Sequence, residues 1–142
     1  MSKAFDTLDH DILFEKLISF GFNSSTVQWF KSYLKNRTQS VCVNGIVSEP
    51  EEIVFGVPQG SVLDPLLFIM YINDLPLVTD YCTVEMYADD TLIYFASNSV
   101  SAIENALSSD LVTWLHGNFL LLSFSKTKIM LTGTHQKLKK CG

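Results

Sequence analysis

Apolar residues recur at helical spacing from His10 to Phe20, at Ile12, Leu13, Leu17 and Phe20. That period predicts an amphipathic helix, with Asp9 as its cap and Gly21 and Asn23 at its end. A second helix is predicted from Ser24 or Ser25 through Val27, Phe30, Tyr33 and Leu34, broken at Asn36-Arg37. The pattern then shifts to alternation. Thr38 to Asn44, with Val41 and Val43, reads as a strand, and Asn44-Gly45 is a strong hairpin signal. The return strand is expected to include Ile53, Val54 and Phe55. Gly56 to Ser61 is a loop punctuated by Gly and Pro. A helix follows through Leu66, Leu67, Met70 and Ile72 to about Leu75, where Asp74-Leu75-Pro76 is expected to end it. A hairpin is predicted over 83–96. An amphipathic helix spans Ser101 to His116, with Ile103, Leu107, Leu111 and Leu115 on one face. Phe119 to Thr132 suggests two short strands around Ser125-Lys126-Thr127-Lys128.

Composition places this pattern in one globular unit. The chain has 142 residues, 47% hydrophobic and 18% charged. A domain of this size buries roughly 68–70% of its unfolded surface, which is enough for a core. The net charge of −5 argues against the chain alone gripping a nucleic-acid backbone, which takes clustered Lys and Arg. Cys42, Cys82 and Cys141 are widely spaced with no C-x-x-C, so reduced intracellular thiols fit better than disulfides or a zinc site. No apolar run follows the first residues, so no secretory leader is expected. The longest apolar stretch, 62–72, is interrupted by Asp64 and Pro65 and is too short to span a bilayer.

The candidate chemistry lies in Tyr87-Ala88-Asp89-Asp90. Aromatic and β-branched residues on both sides favour strands, so Asp89 and Asp90 fall on a tight turn. Adjacent carboxylates repel unless a cation joins them. Mg²⁺ is commonly held by one or two carboxylates plus substrate phosphates, and two such ions clamp an in-line phosphoryl transfer. Taken alone, the pair is better read as an ordinary turn, where Asp is common.

Three further stretches, in order, change that balance: Ser2-Lys3-Ala4-Phe5-Asp6, then Phe55-Gly56-Val57-Pro58-Gln59-Gly60-Ser61, and, after the Asp-Asp turn, Lys126-Thr127-Lys128. Together with Tyr87-Ala88-Asp89-Asp90 they closely resemble the palm of a reverse transcriptase of the non-LTR, LINE type. Trp29-Phe30-Lys31-Ser32-Tyr33-Leu34 and Ile72-Asn73-Asp74-Leu75-Pro76 extend the likeness over nearly the whole chain. The resemblance implies an α+β fold, with a ferredoxin-like split βαβ antiparallel sheet and helices packed on one face. It implies a partial palm over 1–134, incomplete at its N-terminal strand, and a basic, disordered tail over 135–142.

It also implies Mg²⁺-dependent, template-directed addition of deoxynucleotides, with an RNA template and a DNA primer as partners and two Mg²⁺ ions as cofactors. On this likeness Asp89 and Asp90 are catalytic metal ligands. Phe5 selects deoxynucleotides by blocking the 2′-hydroxyl, the group that distinguishes RNA from DNA. Gln59 and Gly60 lie against the incoming nucleotide, and Lys126 lies near its phosphates. Without the family, Phe5 also fits a core residue, Gln59-Gly60 an ordinary turn, and Lys126 a solvated surface lysine.

The resemblance puts an essential Asp one residue before position 1, with Met1 at the first motif's apolar position. The expectation is therefore a truncated fragment without that Asp, fingers or thumb, with little or no polymerase activity by itself. A longer active reverse transcriptase that contains this stretch is one alternative; a non-catalytic interaction module derived from a retrotransposon is another. Asp64 stands where the family has Gly; a carboxylate beside the nucleotide loop is not expected to help, while Asp's tolerance of unusual backbone angles lets the turn survive. Ser123 stands where an Asn is expected before Lys126. The partners implied include no membrane, and the expected location is intracellular, with nothing to select nucleus or cytoplasm.

Overall fold

Three of the helix starts are set by side-chain caps. In a computed structural model that describes residues 5–58, 60–88 and 90–134, the Asp9 carboxylate accepts from the N–H groups of Asp11 and Ile12 at 2.9 and 3.0 Å. It satisfies donors that a helix start leaves free, and α1 runs His10–Ser19. Asn23 caps α2, Ser24–Leu34, through Thr26 N at 2.9 Å. Asn36 then takes a φ of 58° and turns the chain out of the helix.

Two short antiparallel ladders follow. β1 (Thr38–Gln39) pairs with β4 (Glu51–Glu52), and β2 (Cys42–Val43) pairs with β3 (Ile46–Val47). The Asn44-Gly45 turn forms as expected, with φ of 52° and 82°, the positive pair that two-residue hairpins favour. The return strand differs from the expectation. The tight turn fixes register, so Ile46–Val47 close the hairpin, and Ile53 and Val54 lie outside any strand. Phe55 makes only a single bridge, to Asp9.

α3 is Asp64–Ile72. Leu75-Pro76 does not stop the chain but starts a short helix, α4, Leu75–Val78; proline is accommodated in a first turn, where its missing N–H has no partner to lose. β5 (Thr83–Tyr87) and β6 (Asp90–Tyr94) form the expected hairpin. α5, Val100–Gly117, starts at Ser99, whose hydroxyl accepts from Ala102 N at 3.4 Å. Its buried line is Ala106, Asp110 and Trp114, joined by Leu115, so the inward face is rotated by about one residue from the Ile103–Leu107–Leu111 stripe, which is half-buried.

Phe119 to Thr132 forms no strand among the described residues, contrary to the alternation. A strand needs an edge to pair with, and this segment pairs with none; Phe124, Ile129 and Met130 are exposed. The tail over 135–142 lies outside the described residues.

The core is chiefly helical. Leu13, Phe14 and Leu17 of α1 meet Val27, Phe30 and Leu34 of α2, and Leu67, Phe68, Tyr71 and Ile72 of α3, with Trp114 and Leu115 of α5 at one side. Val84 and Met86 of β5 pack onto this cluster. The fold is thus α+β, with three separate two-stranded antiparallel sheets among the described residues. No helix among those residues is long and apolar enough to cross a membrane.

Candidate functional site

The hairpin alternates as a half-buried ribbon must. Val84, Met86, Thr91 and Ile93 are half-buried, while Glu85, Tyr87, Asp90 and Leu92 face solvent. Tyr87 pairs directly with Asp90, so Asp90 opens β6 rather than lying on the turn as expected from sequence. Ala88 has a φ of 53°, a conformation that disfavours any side chain by about 1–2 kcal/mol. Replacing Ala88 with Gly is therefore expected to raise stability by about 1 kcal/mol, read as a shift in the denaturant midpoint. An open groove on the hairpin is lined by Glu85, Met86, Tyr87, Asp90, Thr91 and Leu92. Thr91 Oγ1, next to Asp90, is buried without a hydrogen-bond partner. Asp89 lies outside the described residues.

Among the described residues, no group of three or more His, Cys, Asp or Glu side chains gathers to hold a metal ion. Mg²⁺ does not require such a cage, since it takes one or two carboxylates and completes its octahedron with phosphates and water. The exposed Asp90 carboxylate is a hard oxygen donor of that kind and fits as one of the two.

The Gly56 loop is tied directly to residues 5–10. Val57 N donates to Phe5 O at 2.9 Å, and Gly56 N donates to Leu8 O at 2.7 Å. His10 Nε2 donates to Gly56 O at 2.7 Å, and Asp9 bridges Phe55. His10, assigned no role from sequence, is thus a buried brace for this loop. Gly56 has a φ of 81°, and a Cβ there would lie 2.7 Å from Phe5 O and 2.9 Å from Asp6 C and Cα. Only glycine allows this approach. Phe5 is half-buried, with its ring centroid 4.5 Å from that of Phe68. Gly60 is exposed with a φ of 84° and open space around it. Gln59 lies outside the described residues.

The turn at Asp64 survives, with the carboxylate bonded within it. Its carboxylate accepts from Ser61 N at 3.0 Å and Ser61 Oγ at 2.6 Å, and Ser61 Oγ accepts from Asp64 N at 3.2 Å. This reciprocal pair closes the turn ahead of α3 and satisfies a buried carboxylate. Ser123 likewise supports its turn: its carbonyl accepts from Lys126 N at 3.1 Å, Thr127 N at 2.9 Å and Thr127 Oγ1 at 2.8 Å. Lys126 is exposed on that turn. The fold therefore joins Phe5 to the Gly56–Ser61 loop, whereas the hairpin groove includes neither of these nor Lys126.

Two polar clusters were not legible in the sequence, of which the first positions the hairpin. Asp110 of α5 accepts from Asp80 N at 3.3 Å, Tyr81 N at 2.9 Å and Cys82 N at 2.8 Å, and so anchors the turn leading into β5. Burial alone would raise its pKa, but the N–H donors of Tyr81, Cys82 and Asp80 and the Cys82 thiol outweigh burial and hold it below its usual value of 3.8. Lys16 donates to Tyr71 O at 2.6 Å and Asp74 Oδ1 at 2.7 Å, and Trp114 Nε1 donates to the same Asp74 oxygen at 3.1 Å. Burial lowers the Lys16 pKa, partly offset by Asp74. The Tyr71 hydroxyl donates to Asn118 O at 2.8 Å. The only sequence signal was negative: Asp110 sits on the apolar side of an amphipathic helix.

These shifts set a pH profile. Asp110, depressed in the fold, stabilises above its unfolded pKa, and that contribution is lost as pH falls below about 4. Burial and Asp110 push the Cys82 thiol from 9.0 up to about 11, and burial chiefly pushes Tyr71 from 10.0 up to about 12. Both raised groups stabilise fully below their unfolded pKa values, and that stability is lost as pH rises from 9 towards 12. Denaturant midpoints measured across pH should show both limbs. Asp110→Asn should lower the plateau by about 2 kcal/mol and flatten the acid limb, and Cys82→Ser should flatten the first part of the alkaline limb.

Residues 1–141 match the family described as reverse transcriptase (RNA-dependent DNA polymerase). The chain is 35% identical over 120 residues to a protein of Drosophila melanogaster named probable RNA-directed DNA polymerase from transposon BS, covering 80% of this chain and 13% of that one. It is also 35% identical over 114 residues to the RNA-directed DNA polymerase from mobile element jockey of the same fly, covering 75% and 12%. The chain thus spans 12–13% of the length of these curated relatives.

Proposed function

The chain belongs to the reverse transcriptase family, and we propose that it is the palm segment that performs Mg²⁺-dependent addition of deoxynucleotides to a primer on an RNA template. The observation that carries the reading is the hairpin: a two-residue turn with Ala88 at a φ of 53° and Asp90 exposed at the start of β6, in a chain with this family match. The three small sheets are read as parts of a ferredoxin-like palm.

In this reading Asp89 and Asp90 contribute carboxylate oxygens to Mg²⁺, with the nucleotide phosphates as further donors. Bound Mg²⁺ supplies charge neutralisation at the attacking and leaving oxygens of phosphoryl transfer. Phe5, wedged on Phe68 and fixed by its carbonyl's bond to Val57 N, presents a rigid edge that excludes a 2′-hydroxyl. The backbone at Gln59 and Gly60 approaches the nucleotide, and Lys126 holds a proton near the pyrophosphate leaving group. The 142 residues by themselves carry a net charge of −5, which opposes capture of a polyanion, so they are proposed not to polymerise unaided.

Primer extension tests both parts. The purified chain with Mg²⁺ and a primed RNA template is expected to give no extension. A relative's polymerase in which this chain replaces the matching segment is expected to extend the primer. Extension by the isolated chain that vanishes in Asp89→Asn would overturn the inactivity; an inert hybrid that folds would overturn the palm assignment.

A further inference from the structure

α2 carries an exposed aromatic stack that the hairpin chemistry leaves unused. Trp29 and Tyr33, one helical turn apart, lie nearly parallel, with ring centroids 5.7 Å apart and planes 7° apart. Arg37 Cζ lies 4.7 Å from the Tyr33 centroid, and its Nε donates to Tyr33 O at 2.7 Å. Asn36, at a φ of 58°, turns the chain so that Arg37 returns over the helix end.

The indole is both held and open. Its edge rests on Phe30 at 5.1 Å and 77°, and Phe30 is buried, yet Trp29 is 54% exposed. An indole left in water forgoes the largest apolar burial any side chain offers. Fixed in one orientation by Phe30 and Tyr33, it loses little further freedom when a ligand stacks on it. Part of the stack is accounted for by the helix itself, because an arginine on the last carbonyls favours a helix end. That role does not explain the exposed Trp29.

Charge narrows the ligand. No residue between Glu15 and Glu49 is acidic, and Lys31, Lys35 and Arg37 fall in that stretch, with Arg37 placed against Tyr33, although the chain as a whole is at −5. Lys31 Nζ lies over the Phe14 ring at 5.3 Å, which leaves Lys35 and Arg37 as the cations nearest the stack in sequence. A flat π-surface beside cations suits a polymer of aromatic rings and phosphates. In a duplex the bases are already stacked on each other, so the unpaired strand is the better match. A second copy of this chain would bring like charges together at this face.

We propose that Trp29, Tyr33 and Arg37, with Lys35, form a stacking site for unpaired nucleotides of single-stranded nucleic acid. The site goes beyond the hairpin chemistry, and rests on the polymerase reading only in that such a protein meets an unpaired template.

The test uses the full chain and an oligomer of uridylate at low salt. Trp114 is buried with its Nε1 bonded to Asp74, so quenching reports Trp29. Saturable quenching is expected. By anisotropy of a labelled oligomer, Trp29→Leu should bind roughly tenfold more weakly, with Trp29→Phe between it and the original. Lys35→Gln and Arg37→Gln should each reduce the slope of log K against log salt by roughly 0.7, and a duplex of equal length should bind more weakly than the single strand. Unchanged Trp114 emission in Trp29→Leu shows that the fold is retained. Three results would overturn the proposal: equal binding by Trp29→Leu, no quenching at low salt, or quenching that tracks protein concentration through self-association. Asp90→Asn should bind the oligomer as the original does, so this site and the hairpin reading fail independently.

Discussion

Replacing Gly56 with alanine is expected to destabilise the chain by about 2–5 kcal/mol, a large share of the total stability of a domain of this size. Two terms add. A residue with a Cβ at a φ of 81° is disfavoured by about 1–2 kcal/mol. The new methyl would also meet Phe5 O at 2.7 Å and Asp6 C and Cα at 2.9 Å. These are backbone atoms that no rotamer change can move aside, and overpacking of this kind costs about 1–3 kcal/mol. Relief would require residues 5–6 to withdraw, which breaks the Val57–Phe5 and Gly56–Leu8 bonds together. Gly60 provides the control. Its φ of 84° is nearly the same, but a methyl placed there would meet nothing within 4 Å, so Gly60→Ala should lose only the first term. Urea midpoints for the two variants separate conformational strain from close approach. Equal losses would mean that the loop does not press on residues 5–6.

In the hybrid polymerase, Asp89→Asn and Asp90→Asn should each lower the rate of nucleotide addition by roughly a thousandfold or more. Asparagine keeps the shape of aspartate and removes the charge, so packing is preserved while the donor to Mg²⁺ is weakened. A lost ligand in a site that stabilises developing phosphoryl charge is worth several kcal/mol, and each 1.36 kcal/mol is about tenfold in rate. Asp90 is exposed and starts β6 opposite Tyr87, so folding should be unaffected. Steady-state extension beside a thermal melt distinguishes lost chemistry from lost fold. A variant with unchanged rate would remove that carboxylate from the site.

Local signals were legible because they act over a few residues. Asp9 starts α1 through its own side chain, and Asn44-Gly45 closes a hairpin through its own torsions; Asn23 and Ser99 cap α2 and α5 in the same way but were not read as caps. The Asp-Asp hairpin was legible for the same reason, with β-branched and aromatic flanks on both sides of a short turn. What sequence did not reveal depends on residues far apart. His10 meets Gly56, Asp110 meets residues 80–82, and Lys16 meets Asp74; no window spans such pairs. Asp110 also misled the reading of α5, since a buried carboxylate on the inward line makes the neighbouring leucine stripe look like the core face. How the Asp64 carboxylate is satisfied was not legible, because its reciprocal bonding with Ser61 is a matter of geometry. Of the site residues, the structure describes Phe5, Gly60, Asp90 and Lys126, and it joins the first two through the Gly56 loop.

The central claim is that Asp89 and Asp90 bind a divalent ion together with a nucleotide. Mn²⁺ titrated into the isotope-labelled chain with a deoxynucleoside triphosphate tests it directly, because paramagnetic broadening falls steeply with distance and needs no turnover. The amides of Tyr87, Ala88, Asp90 and Thr91 should broaden first, and Asp90→Asn should weaken the effect at least tenfold. Broadening spread evenly over the surface acids, or undiminished in the Asp89→Asn, Asp90→Asn double variant, would contradict the account.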